Sequence, residues 1–317
     1  MRHHFGDHLN RKYGHWSIVP NRNRWQYRYE NLLDAPSDVS VLTLTKNDTN
    51  WERVTELNSL TELTLHEPSK DQLDILKQVS KLTSLRVSHA RTKTIEFLES
   101  QSDLRELVFE YVSGFNDLTV ISELPKLHAV HFENLRRVRD FSPLGLCQKL
   151  KQLSIYGTLD WDQPIEKLDF LGQLDLLEYF DLGFTRLLGP FPIFASISKM
   201  KSLKEIKLAL NAASLEDFAY LEAKAPNVIG AIRQPYQFYE GENRIVNEGD
   251  YRAKMPREEF LTLKGASISK QGTRYLFEKP LAFLLGRGTR TVTGSEENIL
   301  KKCAAHEEKY RSLIAAL

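Results

Sequence analysis

The segment His128-Ala-Val-His131-Phe-Glu133 contains two histidines and a glutamate, residue types that can bind a metal ion, within six residues. In an extended strand, alternation directs His131 and Glu133 to one face and His128 to the other. This spacing differs from that of the helical H-E-x-x-H zinc motif. We therefore interpret these histidines as surface or turn residues rather than as metal ligands.

A second group of side chains suited to transition metals lies near the N-terminus. It consists of His3, His4, Asp7 and His8. A solvated terminal segment explains these residues without a ligand, and it is the interpretation that we adopt. The sequence therefore predicts no metal and no other cofactor.

The segment Gly286-Arg287-Gly288-Thr289-Arg290 loosely resembles a phosphate-binding loop. It has neither the G-x-x-x-x-G-K-[ST] spacing nor the G-x-G-x-x-G spacing, so a turn with two exposed arginines is the preferred interpretation. The segment is nevertheless the best candidate for an anion site. A phosphate-binding, nucleotide-binding or enzymatic activity around Arg287 and Arg290 is the alternative function.

Cys303 and His306 are three residues apart in a segment with a helical pattern, so their side chains can be neighbours. A nucleophilic pair also needs an orienting acid and an oxyanion site, and the sequence offers no such context. The apolar spacing around Cys303 favours a position in the core. We assign no catalytic residue and predict that the chain is not an enzyme.

The elements that must position these side chains are set by a repeated phrase, L-x-x-L-x-L or an apolar variant of it. The phrase occurs eight times between Val39 and Leu208, and its first positions are 21, 22, 22, 23, 23, 27 and 26 residues apart. Alternation within each phrase predicts a short strand with one buried face. Identical strands at a fixed step predict a parallel sheet, and apolar residues spaced by three and four predict short helices on the return path.

This pattern resembles the leucine-rich repeat family, in particular the short class with about 22 residues per unit found in bacterial internalin-like proteins. The resemblance implies an α/β solenoid curved like a horseshoe, with the parallel sheet on the concave face and short helices or turns on the convex face. The family places an asparagine in the loop after each strand, and only Asn47 and Asn211 match that position. The other turns must satisfy their backbone in another way.

Three segments follow from this pattern. Residues 1–36 are expected to form an N-terminal cap, residues 37–233 a repeat array of about eight units, and residues 234–317 a C-terminal cap or a small α+β extension. The polar stretch 234–260 is expected to be a loop, and the residues inserted after Ile155 and Leu182 are expected to form further loops. Ser295 is expected to begin a helix that ends near Ala316.

The side chains between the apolar positions of each phrase are expected to point outward on the concave face. In the later units they bring aromatic rings close to carboxylates, as in the hot spots of protein interfaces. A cover formed by the inserted loops or the C-terminal segment is the alternative explanation for these rings. The predicted partner-binding residues are Arg86, Glu110, Tyr111, His131, Glu133, Tyr156, Tyr179, Asp181 and Phe184.

Charge is unevenly distributed along the chain. Residues 37–235 carry 23 basic and 28 acidic side chains, whereas residues 1–36 carry six basic and three acidic ones. An acidic array argues against nucleic acid as its partner and is compatible with a basic protein. Basic and aromatic residues between Arg22 and Arg28 could bind a single strand, but an amphipathic cap has the same composition.

These features predict a non-enzymatic protein-interaction module that holds a protein partner on its concave face, either as an inhibitor or immunity-type protein or as a scaffold. The sequence has no run of about 18 apolar residues and no apolar secretory signal. Its two cysteines are separated by several repeats and are expected to be reduced. A cytoplasmic location is therefore expected, and the oligomeric state is not indicated by any pattern.

Overall fold

An eight-stranded parallel sheet dominates the structure, a computed structural model that describes residues 21–79, 81–246, 251–255, 274–289 and 291–317. Each strand pairs with the strand of the next repeat unit, as the common direction of the units requires. The strands are β1 Val41–Thr45, β2 Glu62–His66, β3 Ser84–Ser88, β4 Glu106–Glu110, β5 Ala129–Glu133, β6 Gln152–Tyr156, β8 Tyr179–Gly183 and β10 Glu205–Leu208. Two short strands, β7 Gln163–Ile165 and β9 Thr185–Leu187, belong to the insertions near the C-terminal end of the array.

The strands pair in register, so equivalent leucines lie side by side. Leu63 pairs with Leu85, and Leu85 pairs with Leu107. These three side chains are at most 1% exposed. Each unit therefore buries its apolar side against its neighbours, which confirms the prediction of a leucine-rich repeat solenoid.

The return path of each unit contains a short helix on the side of the sheet that faces the core. Leu76, Ile121 and Leu171 in these helices are completely buried, so their apolar spacing closes the core from the convex side. The prediction of short convex helices is confirmed. They are 3-10 helices at Trp51–Glu56, Ile75–Gln78, Glu96–Leu98, Thr119–Glu123, Ser142–Leu146, Asp169–Gln173 and Ile197–Lys199, and α-helices α1 Lys70–Asp74 and α2 Leu215–Lys224.

Glutamines, rather than the missing asparagines, satisfy the backbone at three turns. Gln72 Nε2 donates to Thr45 O over 2.8 Å, and Gln101 Nε2 donates to Leu76 O over 2.6 Å. Gln163 accepts from Leu135 N over 3.1 Å. All three glutamines are completely buried, so each replaces water as the partner of a backbone group that the core excludes from solvent.

The two insertions near the C-terminal end of the array contain strands as well as loops, which corrects the expectation of loops alone. β7 Gln163–Ile165 and β9 Thr185–Leu187 pair in parallel as a small separate sheet. Ile165 and Leu187 are buried, because the two insertions cover each other's apolar side chains. Polar, irregular sequence concealed this pairing.

Among the described residues after the array there are six further strands and a long helix. β11 Tyr236–Tyr239, β12 Glu242–Val246 and β13 Tyr251–Met255 lie within the stretch expected to be a loop, so that expectation is wrong for these residues. β14 Arg274–Glu278, β15 Leu281–Leu284, β16 Val292–Thr293 and α3 Glu296–Ala315 complete the chain. The sheets are ordered β11-β15-β16 and β13-β12-β14.

Helix α3 begins where the sequence predicts, with the Ser295 side chain accepting from Asn298 N. It packs against α2, and the Tyr310 hydroxyl donates to Glu222 Oε2 over 2.7 Å. Tyr310 and Leu285 belong to the same hydrophobic core as the repeat leucines. The last unit of the array is therefore covered by α3 and the loop before it. Among the described residues, no helix has both the length and the hydropathy that crossing a membrane requires.

Residues before β1 lie partly on the concave side of the sheet. A 3-10 helix runs over Asn21–Tyr27, and the Thr43 hydroxyl donates to Arg24 O over 3.0 Å. Thr43 lies between the two core leucines of β1, so its side chain points away from the core. The Asn21–Tyr27 helix is therefore placed against the concave side of the first strand.

Candidate interaction surface

We use the name concave face for the side chains that alternate with the core positions of the eight strands. Alternation places these side chains on the opposite side of the sheet from the leucines, as predicted. The concave face consists of Val41, Thr43, Thr45, Glu62, Thr64, His66, Ser84, Arg86, Ser88, Glu106, Val108, Glu110, Ala129, His131, Glu133, Gln152, Ser154, Tyr156, Tyr179, Asp181, Gly183, Glu205 and Lys207.

Four of the predicted binding residues are buried rather than exposed. Arg86, Glu110 and Glu133 are 0% exposed, and His131 is 1% exposed. The expectation that they present themselves to solvent is wrong, as is the interpretation of His131 as a surface or turn residue. The remaining five are partly exposed, namely Tyr111, Tyr156, Tyr179, Asp181 and Phe184. Their role in binding stays a prediction.

A two-point salt bridge joins two neighbouring units at the centre of the concave face. Arg86 Nε donates to Glu110 Oε2 over 3.0 Å, and Arg86 Nη2 donates to Glu110 Oε1 over 2.5 Å. Because Arg86 lies on β3 and Glu110 ends β4, the pair ties two strands together across the face. Both oxygens of this carboxylate are thereby engaged by a fixed, planar cation.

Glu110, His131 and Glu133 bring ligand-type atoms within 4.8 Å of one another. His131 Nε2 lies 4.0 Å from Glu133 Oε2. A bound cation would share Glu110 with the guanidinium of Arg86, and two adjacent positive charges in a buried site repel strongly. The cluster therefore fits a charge network better than a metal centre. His128 directly precedes β5, and its Nε2 lies 3.8 Å from Oε1 of Glu106 on β4.

Tyr156 and Asp181 form the next polar pair along the face. They share a side-chain hydrogen bond in which the Tyr156 hydroxyl donates to the carboxylate. Burial and the neighbouring negative charge raise the pKa of Tyr156 well above its ordinary value. Burial also raises the pKa of Asp181, opposed by the Tyr156 hydrogen bond and by the charge of Lys207. The tyrosine is thus held as a neutral donor.

Gly183 makes room for the Tyr156 ring on the neighbouring strand. A Cβ at Gly183 would lie 2.2 Å from Cε1 of Tyr156 and 2.3 Å from Cδ1. The ring also packs against His131, with 5.5 Å between ring centroids. The absence of a side chain at Gly183 therefore sets the position of the tyrosine hydroxyl above Asp181.

A row of rings runs along one edge of the concave face, and we call Trp25, His66, His89 and Tyr111 the aromatic row. Successive ring centroids are 5.3, 5.4 and 4.8 Å apart, and the last pair is stacked at 17°. Of this row, the predicted partner-binding residues included only Tyr111. The signal that was missed was the recurrence of a ring at the end of three successive phrases.

The residue after five strands adopts a left-handed backbone without being glycine. The φ values are 48° for Glu67, 55° for His89, 55° for Tyr111, 58° for Asn134 and 50° for Phe184. The first four donate a backbone N–H to the next strand, for example Tyr111 N to Glu133 O over 2.8 Å. The hydrogen-bond ladder thus continues one residue beyond each strand while the chain turns away.

The predicted aromatic patch is divided between two places. Tyr111 stacks on His89 in the aromatic row, whereas Tyr156 packs on His131 near the middle of the sheet. Tyr179 lies on β8 beside Lys204, whose Nζ is 6.0 Å from the ring centroid. The later units therefore present Tyr156, Tyr179, Asp181 and Phe184 together, without Tyr111.

Arg287 serves to dock the C-terminal segment. Its backbone N–H donates to Ala213 O over 2.6 Å, and its guanidinium donates to Leu187 O. Gly286 N donates to Leu210 O over 2.8 Å. These contacts hold the turn against the array and give Arg287 a structural role, and Gly286 and Gly288 adopt positive φ values of 110° and 80°. Arg290 lies outside the described residues, as do His3, His4, Asp7 and His8.

Cys303 and His306 have structural surroundings. Cys303 is completely buried, and burial raises its pKa, which opposes formation of a thiolate. His306 Nε2 lies 3.0 Å from Leu285 O, and burial lowers the pKa of this imidazole. A neutral imidazole that donates to a backbone carbonyl fastens α3 to the loop after β15, as the favoured core interpretation of this pair implies.

The sheet, its in-register leucines and its convex 3-10 helices define the class: the fold is a leucine-rich repeat solenoid. No protein-family model and no curated protein matches the chain.

Solved structures with a similar fold include three internalins of Listeria monocytogenes. Internalin C2 is 20% identical with a TM-score of 0.38, over 53% of this chain and 68% of that one. The internalin InlF is 19% identical with a TM-score of 0.40, over 61% of each chain. The functional domain of InlJ is 13% identical with a TM-score of 0.40, over 83% of this chain and 65% of that one.

Proposed function

We propose that the protein is a non-enzymatic binding module whose concave face holds a basic segment of a protein partner. The observation that carries this proposal is the excess of carboxylates on the concave face. Six acidic side chains stand there against two basic ones, Arg86 and Lys207. The acidic members are Glu62, Glu106, Glu110, Glu133, Asp181 and Glu205.

Carboxylates at the two ends of the face are the accessible ones. Glu62 on β2 and Glu205 on β10 are partly exposed, and so is Asp181 on β8. Glu205 Oε1 lies 3.5 Å from Lys207 Nζ, and Glu110, in the middle of the face, is buried in a salt bridge with Arg86. A basic segment that crosses the strands would therefore meet partly exposed carboxylates first near the ends of the sheet. Complementary charge of this kind accelerates association and selects against acidic partners.

Partly exposed rings supply the apolar component of the same surface. Tyr179 and Phe184 lie on and just after β8, next to Asp181. Aromatic side chains that are ringed by charge are common anchors of interfaces because they bury a large area with few rotatable bonds. The proposal covers an inhibitor or immunity-type protein as well as an assembly scaffold, since both need such a face.

Peptide binding to the full chain tests the proposal. We expect a fluorescent peptide rich in lysine and arginine to bind, and an acidic peptide of equal length not to bind, with affinity falling as salt rises. Glu62→Gln combined with Glu205→Gln should weaken binding about threefold to tenfold at low salt. Glu99→Gln with Glu123→Gln, on the exposed convex side, is the matched control. Equal affinity for both peptides, or equal losses in both variants, would contradict the proposal.

A further inference from the structure

A cavity of about 540 Å³ lies at the carboxyl-terminal ends of the strands. It is lined by residues of α1 and of the loops that follow β3, β4 and β5, so four successive units contribute to it. Its volume lies within the range of about 300–1,000 Å³ that is usual for small-molecule sites. None of the described residues that line it belongs to the concave face, so the cavity is separate from the surface proposed above.

One equivalent position of the repeat forms a column along this cavity. Its residues each stand ten positions after the first leucine of their phrase, and they are Lys70, Thr92, Gly114 and Arg137. The units remain aligned beyond the strands, since Arg91 pairs in parallel with Ser113. Three steps of about 4.8 Å place the two ends of the column roughly 14 Å apart. Small residues therefore occupy the middle of the column, and long cationic side chains stand at its ends.

The middle of the column has a fixed backbone. Gly114 has a φ of 111°, and a Cβ there would lie 2.2 Å from Thr92 O, so only glycine allows this close approach. Thr92 N donates to Ser113 O over 2.9 Å, and the Thr92 hydroxyl donates to Thr94 O over 2.7 Å. The cavity is therefore formed by the chain itself and needs no rearrangement of the backbone before a ligand enters.

Positive charge dominates the lining. Lys70, Arg91, Lys93 and Arg137 line the cavity together with a single carboxylate, Asp74. All five side chains are exposed. The repeat array as a whole has the opposite balance, with 23 basic and 28 acidic side chains in residues 37–235. The cavity is thus a local reversal of the charge of the array, and such a concentration of one sign attracts ligands of the other.

The chain does not neutralise these cations. Within the described part of the chain, none of the four has a nitrogen within 4.0 Å of a carboxylate oxygen. Arg137 Nη1 donates to Gly114 O over 3.4 Å, which holds this guanidinium beside the cavity. An exposed lysine of the same array does pair, since Lys126 bonds to Asp103. The positive charge around the cavity is therefore available to an external anion.

We propose that this cavity binds a small ligand that carries two or more phosphate groups. A guanidinium donates two parallel hydrogen bonds to phosphate, and a lysine ammonium adds a point charge. A single phosphate is too small to contact both Lys70 and Arg137, whereas a chain of phosphates can engage both ends of the column. The site lies apart from the concave face, so occupation of one does not exclude occupation of the other.

Calorimetric titration of the full chain in metal-free buffer at low salt tests this assignment. We expect inorganic tripolyphosphate to bind about tenfold or more tightly than inorganic phosphate, because it engages several cations at once. Arg91→Gln combined with Arg137→Gln should weaken tripolyphosphate binding about tenfold or more. Arg105→Gln combined with Arg186→Gln removes two exposed arginines outside the cavity and is the matched control, with an expected change of less than about twofold.

Asp74→Asn should have the opposite effect. It removes the carboxylate of the lining, so tripolyphosphate should bind about twofold to fivefold more tightly. The Asp74 side chain makes no capping hydrogen bond, so the change leaves the local helix intact. A gain in affinity cannot arise from misfolding, and this variant therefore keeps the test decisive if the arginine variant is unstable.

ATP and a glutamate-rich peptide identify the source of the anion. Equal affinity for ATP and tripolyphosphate would assign recognition to the phosphate chain, and tighter binding of ATP would assign it to a nucleotide; both results support the proposal. Binding of the peptide as tightly as tripolyphosphate would overturn it in favour of an acidic protein segment. Equal affinity for tripolyphosphate and phosphate, or equal losses in the two arginine variants, would also overturn it.

Discussion

The guanidinium of Arg86 contacts both carboxylate oxygens of Glu110, and both side chains are completely buried. Removing one member of such a pair leaves a buried charge without its counterion, which typically costs about 3–5 kcal/mol. We therefore expect Arg86→Met to lower the free energy of unfolding by about 3 kcal/mol or more.

Double substitution at this pair should cost less than the two single changes together. Arg86→Met with Glu110→Leu removes both charges and keeps similar volumes, so the desolvation penalty is removed as well. Urea unfolding of the four proteins of the cycle, followed by circular dichroism, measures the coupling. Strict additivity of the single effects would show that the pair does not act as a unit.

Gly183→Ala should displace the Tyr156 ring. The new Cβ would lie within 2.3 Å of two ring atoms, and overpacking of this kind costs about 1–3 kcal/mol. Gly172→Ala is the matched control, because its Cβ would lie 3.5 Å from Ser196 Cβ, an ordinary contact. We expect thermal unfolding to distinguish the two variants, with a clear loss only at Gly183. Equal midpoints would show that the ring moves without cost.

The stability of the protein should depend on the titration of Asp181. Burial holds the folded pKa of this carboxyl above its ordinary value of 3.8, so the folded state binds the proton more tightly than the unfolded state. The stabilising contribution of Asp181 to the free energy of unfolding is therefore fully present below pH 3.8 and is lost as pH rises through the folded pKa. We expect the stability of the Asp181→Asn variant to lack this decrease with rising pH. Urea unfolding midpoints of the variant and the wild type between pH 4 and pH 7 measure it.

Asp117→Asn provides a control of opposite sign. The hydroxyl and backbone N–H of Thr119 donate to Asp117 and lower its pKa, so its contribution is present above pH 3.8 and is lost on acidification. The asparagine variant should lose stability at neutral pH and differ least from the wild type in acid. The same pH trend in both variants would contradict the assignment of these two pKa directions.

Tyr179→Ala combined with Phe184→Ala should weaken capture of the basic peptide about tenfold or more, because these rings are the exposed apolar part of the proposed face. Leu146→Ala combined with Leu176→Ala is the control, since these exposed side chains lie on the convex returns at 62% and 45% exposure. Fluorescence anisotropy gives the affinities, and circular dichroism verifies folding. Unchanged affinity in the tyrosine–phenylalanine variant would remove these rings from the interface.

Both thiols should resist modification in the folded protein. Burial raises the pKa of Cys147 to about 12 and also raises that of Cys303, so neither forms appreciable thiolate at pH 8. We expect less than one thiol per chain to react with a disulfide reagent within an hour, and both to react in guanidinium chloride. Rapid labelling of the folded chain would show that one of these sites opens.

The repeat array could be predicted because the residue pattern that determines it lies within each short repeat. Leu63, Leu85 and Leu107 alternate with outward residues inside each phrase, and the period of the phrase sets which strands pair. Strand β12 and the pairing of β7 with β9 were missed for the opposite reason. Their apolar alternation is short or absent, and the partner strand is distant in sequence, so only the tertiary context selects them.

The orientation of the site residues could be predicted, but their burial could not. Period-two alternation places Arg86 and Glu133 on the concave face whatever lies beyond them. Their exposed fraction depends on what covers the face, and no residue near them in the sequence encodes that. Gln163 illustrates the same limit, since it bonds to Leu135 N, 28 residues away.

The even spacing of the strands gives the concave face a regular repeat, which can be compared with the rise per residue of a chain that crosses it. Units recur about every 4.8 Å, whereas an extended polypeptide advances about 3.3 Å per residue. Two units therefore match three residues of the crossing chain. A segment aligned with Glu62 on β2 comes back into phase at β4, where Glu106 stands. Side chains three residues apart in an extended chain point to opposite sides, so only one of two residues at that spacing could turn toward the sheet.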